Sequence, residues 1–407
     1  MNAMRIRARN GFTTALLVLA AVCLTPWLCH ALPTAPIYRV TNLGTLGGNY
    51  SLAQDINNLG QVVGYSQLAD NTTQRAFRTG PNAVINPALD ELGTLGGTHS
   101  TAVSINDLGQ VVGDSYLADN STLHAFRTSP NSPIASATDD LGGGGYSQAG
   151  GINNSGRVTG GQGSSNAVLR SYRTAPHAPI NLASDLLGNL GGGESVGYGI
   201  NASGQVTGYS LTVGNDSSSA RAIRVSANGT INAGSNLGTL GGQFSIGLAI
   251  NDAGQVVGES RIAGNGQIHA FRTAANAPIN PVTDDLGLLP GGSDSRANDI
   301  NNLGWVVGQS DVGGGYHAFL HQGDTMLDLN QLLDGSGAGW TLHIANAIND
   351  RNQIVGLGSL GGQFRAFRLD PVPEPGAATL FCLAVGVVVF LLARGGHLRL
   401  RSPAKSR

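Results

Sequence analysis

The sequence predicts an all-β fold: a seven-bladed β-propeller with four-stranded blades, placed between an N-terminal signal peptide and one C-terminal transmembrane helix. Three observations carry this reading. One unit recurs seven times at spacings of 49, 47, 48, 50, 50 and 48 residues. Each unit holds four short β-prone segments separated by turn residues, the arithmetic of propeller blades. No segment before Ala377 keeps a helical period of apolar residues.

Composition agrees. The 407 residues include 61 glycines, are 12% charged and are 41% hydrophobic. Ordinary soluble domains carry roughly 25% charge. Enough apolar residues remain to build a core, which excludes a disordered chain and a charge-rich helical one. Residues 32–370 hold fifteen arginines against twenty-four acids, a net charge of −9, and Lys405 is the chain's one lysine. That balance excludes a phosphate-backbone partner, so no nucleic acid is expected.

Residues 1–31 read as a signal peptide. Arg5, Arg7 and Arg9 precede an apolar stretch from Ala15 to Leu24, and Cys29-His30-Ala31 places cleavage between Ala31 and Leu32. The apolar run falls short of the roughly 20 residues that a membrane span needs.

Residues 32–370 form the repeated core. An Ile-Asn pair recurs at Ile56, Ile105, Ile152, Ile200, Ile250, Ile300 and Ile348. Five residues on comes a β-prone run such as Gln61-Val-Val-Gly64, and then a triplet-containing strand such as Arg75-Ala-Phe-Arg78 or His124-Ala-Phe-Arg127. A fourth segment leads to a glycine corner such as Leu92-Gly-Thr-Leu-Gly-Gly97. The Asn57-Asn58-Leu59-Gly60 turn and its equivalents supply residues that tolerate positive φ in tight hairpins. Three residues before each isoleucine stands alanine or glycine (Ala53, Ala102, Ala149, Gly197, Gly247, Ala297 and Ala345), the slot expected to face a narrow central channel. The last unit lacks a fourth segment, and residues 38–44 are expected to complete it and hide its edge. In the seventh unit, Leu327–Leu333 and Trp340–His343 replace the usual glycine corner, which reads as a closing or capping device.

Residues 371–407 form the last part. Val372-Pro373-Glu374-Pro375 precedes an apolar run, taken as a transmembrane helix over 377–393, and an arginine-rich tail. Basic residues after the span would hold the tail in the cytoplasm and leave the core outside. These three parts in order resemble the PEP-CTERM sorting signal of bacterial exosortase substrates. The resemblance implies a partner protease of exosortase type, transient membrane anchoring, cleavage near the Pro-Glu-Pro motif and then a cell-surface or extracellular location. The alternative is a permanent C-terminal anchor. Cys23, Cys29 and Cys382 all lie in the two end segments, so the core has no disulfide to rely on.

The repeat itself resembles the HAF-repeat family of extracellular bacterial proteins, on the His-Ala-Phe triplets at His124, His269 and His317. Four units carry arginine there instead, and Ser171-Tyr172 and Ala222-Ile223 depart further. The resemblance implies an extracellular address rather than an activity.

No chemistry-bearing motif stands out: no nucleophile elbow, no His-Glu-x-x-His, no calcium loop with regular ligand spacing. No catalytic residue, cofactor or metal ligand is therefore assigned. The triplet histidines are expected on a solvated surface. Arg78, Arg127, Arg173, Arg224, Arg272 and Arg368 are expected to pair across strands with acids such as Asp90, Asp140, Asp185 and Asp285. The informative slot is a variable one, six residues before each isoleucine: Tyr50, His99, Tyr146, Glu194, Phe244 and Asp294, with Leu342 seventh. Aromatic faces mixed with carboxylates are what sugar or peptide recognition uses. The leading expectation is an exported, non-enzymatic propeller that binds glycan or protein through this rim. The alternatives are a polysaccharide lyase or hydrolase working in the central funnel, and a purely structural envelope component.

Overall fold

The computed structural model describes residues 35–214 and 217–373. The signal segment with Ala31 and Leu32, and the sorting segment from Glu374 through Pro375 and 377–393, lie outside the described residues. Among the described residues, no helix is long and apolar enough to cross a membrane.

The fold is all-β. After β1 (Tyr38–Gly44), the first units contribute β2 (Gly47–Ile56), β3 (Val62–Leu68), β4 (Gln74–Arg78), β5 (Gly96–Ile105), β6 (Val111–Leu117) and β7 (Leu123–Arg127). Next come β8 (Tyr146–Ile152), β9 (Val158–Gly163), β10 (Arg170–Arg173), β11 (Gly191–Ile200), β12 (Val206–Thr212) and β13 (Ala220–Val225). The remainder are β14 (Gly241–Ile250), β15 (Val256–Ile262), β16 (Ile268–Arg272), β17 (Ser295–Ile300), β18 (Val306–Asp311), β19 (Tyr316–Gln322), β20 (Thr325–Asp328), β21 (Trp340–Ile348), β22 (Ile354–Leu360) and β23 (Gln363–Pro371).

These strands form seven small antiparallel sheets. Five have three strands and two have four, β17–β20 and β21-β22-β23 with β1. Four full strands per unit is thus corrected for five units. There the fourth segment makes one isolated bridge, for example Phe77 with Glu91 or Phe126 with Asp140. Two residues on, Gly93 and Gly142 take positive φ of 79° and 69°, which turns the chain away before a second pair forms. Residues 38–44 do pair antiparallel with β23, from Tyr38 opposite Pro371 to Gly44 opposite Ala366. The Leu327–Leu333 segment supplies part of β20 and then abuts β1, where Tyr38 N–H donates to Leu332 C=O at 2.8 Å.

The core lies between sheets. Each third strand sends one large side chain inward, and Phe77, Phe126, Tyr172, Ile223, Phe271, Phe319 and Phe367 are all fully buried. Each such burial contributes on the order of 1.5–3 kcal/mol. The second strands β3, β6, β15 and β18 begin Val-Val-Gly with both valines buried, while β9 and β12 begin Val-Thr-Gly and β22 Ile-Val-Gly. The glycine, such as Gly64 or Gly113, sits where a Cβ would strike the carbonyl of the first strand.

The small slot does not face a channel. Ala53 packs with Val355, Ala102 with Val63, Ala149 with Val112, Ala297 with Val257 and Ala345 with Val307, each valine coming from the sheet before. A Cβ on Gly197 or Gly247 would meet Thr159 or Thr207 of the preceding sheet. Sheet-to-sheet packing, rather than crowding at an axis, keeps this position small.

The Ile-Asn pairs tie the sheets together. Asn57 Nδ2 donates to Asn106 C=O at 3.0 Å, and the same bond recurs from Asn106 to Asn153, Asn201, Asn251, Asn301 and Asn349. Asn349 Nδ2 then donates back to Asn57 C=O at 3.0 Å. The series of seven closes on itself.

Candidate functional site

Two cavities, of about 200 and 180 Å³, draw residues from all seven sheets. The first is lined by the Ile-Asn pairs and the residues after them, including Asn58, Asp107, Asp252 and Asp350. Most of these side chains accept a backbone N–H from the unit before, as Asp107 does from Asn58 and Asp350 from Asn302, both at 2.8 Å. The second cavity holds Gln54, Asp55, Tyr198, Asn298 and Asp299. Asp55 accepts from Ser104 Oγ at 2.8 Å and Ile105 N–H at 2.9 Å, and Asp299 accepts from Ile348 N–H at 2.9 Å. Burial and the nearby Asp55 carboxylate push Asp299 up to about 8, and burial likewise raises Asp55. These groups knit neighbouring sheets.

The strongest candidate lies apart from these two cavities, where His99, Asp114 and Tyr146 stand at positions that vary between units. A groove of about 410 Å³ is lined by Gln74, His99, Ser100, Thr101, Asp114, Tyr116 and Leu123. Beside it, a second of about 320 Å³ is lined by Tyr116, Ser121, Thr122, Leu123, Gly145, Tyr146, Ser164, Ser165 and Asn166. The two share Tyr116 and Leu123 of the second sheet, which makes one trough that runs from Gln74 of the first sheet to Tyr146 of the third. β5 carries His99, β6 carries Asp114 and Tyr116, and β8 begins with Tyr146. His99 meets Tyr116 edge to face, ring centres 6.3 Å apart. Asp114 Oδ1 accepts Ala149 N–H at 2.8 Å. With protein around most of it and no cation beside it, burial pushes its carboxyl up to about 7. Burial, and after it the same carboxylate, raises the Tyr146 and Tyr172 phenols.

The structure therefore brings His99 and Tyr146 to one trough. Tyr50, Glu194, Phe244 and Asp294 do not line it. Tyr50 stacks on Tyr65 at 5.9 Å, Glu194 accepts from the Tyr209 hydroxyl, and Asp294 accepts Ile268 N–H at 2.9 Å. Leu342, in the seventh slot, is fully buried. Asp114 and Tyr116 escaped the sequence reading. The signal was the second-strand position after the buried glycine, which varies as Tyr65, Asp114, Gly161, Tyr209, Glu259, Gln309 and Leu357.

Two further expectations are corrected. The strand-end arginines do not pair with the acids named for them. They reach backbone carbonyls of the following unit: Arg78 to Ser132, Arg127 to Ala178, Arg173 to Ser226 and Arg272 to Gly304, at 2.8–3.0 Å. A guanidinium fork can satisfy several carbonyls that would otherwise be left open at a loop. Asp90 and Asp185 accept the backbone N–H groups of Asn86 and Asn181, and Asp140 and Asp285 instead take triplet histidines. His124 Nδ1 lies 2.9 Å from Asp140 and His269 Nδ1 2.9 Å from Asp285, so these rings are held rather than solvated. The Asp70-Asn71 and Asp119-Asn120 loops are turns: Asp70 Oδ1 accepts the N–H groups of Thr72 and Thr73, each at 2.9 Å.

Residues 194–363 match a family described as a protein of unknown function (DUF3466). No curated protein matches the chain. Among solved structures, the chain resembles one from a structural and mechanistic analysis of two prolyl endopeptidases and the role of inter-domain dynamics in their catalysis and specificity. The TM-score is 0.50 at 8% identity, over 83% of this chain and 51% of that one. At that identity the likeness concerns the fold alone, and this chain spans about half the length of that neighbour.

Proposed function

We propose that this protein is an exported, seven-bladed β-propeller that binds glycan through the His99–Tyr116–Tyr146 trough. Seven sheets in sequence, the asparagine series returning from Asn349 to Asn57, and β1 completing the last sheet support the propeller. The end segments support export: a signal peptide cut between Ala31 and Leu32, and a PEP-CTERM-like sequence at Val372-Pro373-Glu374-Pro375 processed by an exosortase-type protease. The folded core reaches that motif directly, since Val372 N–H donates to Ile37 C=O at 2.8 Å.

The carrying observation is the trough's chemistry. Tyrosine and histidine rings provide flat apolar faces for sugar rings. Gln74, Thr101, Ser121, Thr122, Ser164 and Asn166 provide short donors and acceptors for hydroxyls. Asp114 is the one carboxylate lining it, and glycoside hydrolysis commonly uses two flanking carboxylates. Recognition without turnover is therefore the reading adopted.

Glycan-array binding by the secreted form provides the test. Tyr116→Ala with Tyr146→Ala is expected to weaken binding at least about tenfold, the loss of roughly 1.4 kcal/mol of stacking. Unchanged binding by the folded double variant rejects the trough.

A further inference from the structure

The chemistry around Asp114 narrows the ligand, on the premise that the trough binds glycan. We infer that the trough selects amino sugars bearing a free ammonium group, with Asp114 as the counter-ion and Tyr116 and Tyr146 as flanking aromatic faces.

Asp114 is a carboxylate without a cationic partner among the described residues. Its Oδ1 takes one backbone N–H from Ala149, and no lysine or arginine lines either half of the trough. The groups close enough to feel its charge include the phenols of Tyr146 and Tyr172, which cannot neutralise it. Contrast the other enclosed acid of the same strand position, Glu259, beside which the Arg296 guanidinium lies. A carboxylate enclosed without a cation is unfavourable, and a ligand that supplies one recovers that energy on binding. Tyrosine faces add attraction for the same cation. The net charge of −9 on residues 32–370 works against anionic polysaccharides throughout. Sugar hydroxyls suit the serines, threonines and amides that line the rest of the trough.

The discriminating experiment compares glucosamine oligomers with N-acetylglucosamine oligomers of equal length, by calorimetric titration of the secreted protein. The ammonium form is expected to bind about tenfold tighter near neutrality, a salt-sensitive preference. Acidification protonates Asp114 and is expected to abolish that preference below about pH 6. Asp114→Asn keeps an acceptor for Ala149 N–H and is expected to bind both oligomers equally, with a melting temperature no lower than that of the wild-type protein. Equal binding of the two oligomers by the wild-type protein overturns the amino-sugar inference while the glycan reading stands. Absence of binding to these and to neutral hexose oligomers alike overturns both.

Discussion

Each repeat asparagine closes its own hairpin before it reaches its neighbour. Asn57 Oδ1 accepts the N–H groups of Leu59 and Gln61, and Nδ2 donates to Gln61 Oε1 as well as to Asn106 C=O. No other side chain of that length offers one acceptor and two donors. The invariance visible in the sequence is therefore hydrogen-bond arithmetic, repeated seven times. Asp299 behaves differently, because burial and the facing Asp55 hold its proton on. A native-state value near 8 against an ordinary carboxyl value means that the folded protein binds more protons than the unfolded chain between about pH 4 and 8. Stability from this group therefore declines as pH rises through that window and is flat above it. Asp299→Asn is expected to remove the decline and to stabilise the protein at pH 8 by about 1–2 kcal/mol, the equivalent of roughly one pKa unit or slightly more. Denaturant unfolding at pH 5 and pH 8 measures it; a variant equally or less stable at pH 8 contradicts the account.

At the scale of the strand, packing between sheets is written as a complementary pair. Where the second strand of one sheet carries valine, the first strand of the next carries alanine; opposite Thr159 and Thr207 it carries Gly197 and Gly247. The threonine hydroxyls are committed, Thr159 Oγ1 to Tyr172 C=O at 2.7 Å and Thr207 Oγ1 to Ile223 C=O at 2.8 Å. That rotamer points Oγ1 at the position a Cβ on the glycine would take. Gly197→Ala is expected to destabilise by about 1–3 kcal/mol through overpacking. Adding Thr159→Val, which recreates the pairing of the other five sheets, is expected to recover most of the loss in a double-mutant cycle. Purely additive effects would refute the coupling. The smallness of the slot was legible in the sequence, but its cause was not, since a single repeat does not reveal which neighbour it touches. Serines escaped for the same reason. Ser51, Ser100, Ser147, Ser195, Ser245 and Ser295 each accept an N–H from the third strand of the previous sheet, a role that exists only once sheets are side by side. The trough was half legible: His99 and Tyr146 stood in the variable slot of first strands, whereas Asp114 and Tyr116 came from a second strand whose register with them only folding sets.

Across the whole molecule, the repeated contacts between successive sheets come back to the first. Asn349 reaches Asn57, Arg368 reaches Ala83 C=O, and Ser51 Oγ accepts Ala366 N–H at 3.0 Å. Such contacts join residues 285 to 315 positions apart, most of the repeated core, and cannot form until its last strands are made. The covalent break falls inside one sheet, where β1 from the start of the core pairs with β23 from its end. β1 buries Tyr38, Val40 and Leu43, and Leu43 shares a cluster with Ala53, Val355 and Ala366, so the strand links the first and last units in packing too. Without disulfides in residues 35–373, these noncovalent contacts alone hold the two ends. Deleting Tyr38–Leu43 would leave β23 as an open edge, with Leu369 and Phe367 losing cover on one side. The expected outcome is a lower unfolding midpoint and a shift to species larger than the parent protein in size-exclusion chromatography, because an unpaired edge recruits another chain's strand. The glycan binding proposed for the trough, measured on the fraction that elutes with the parent protein, should persist, since the trough takes nothing from β1. A deletion variant that elutes as the parent protein does, with an unchanged midpoint, would mean that β23 needs no partner and that the closing strand does not hold the two ends of the core together.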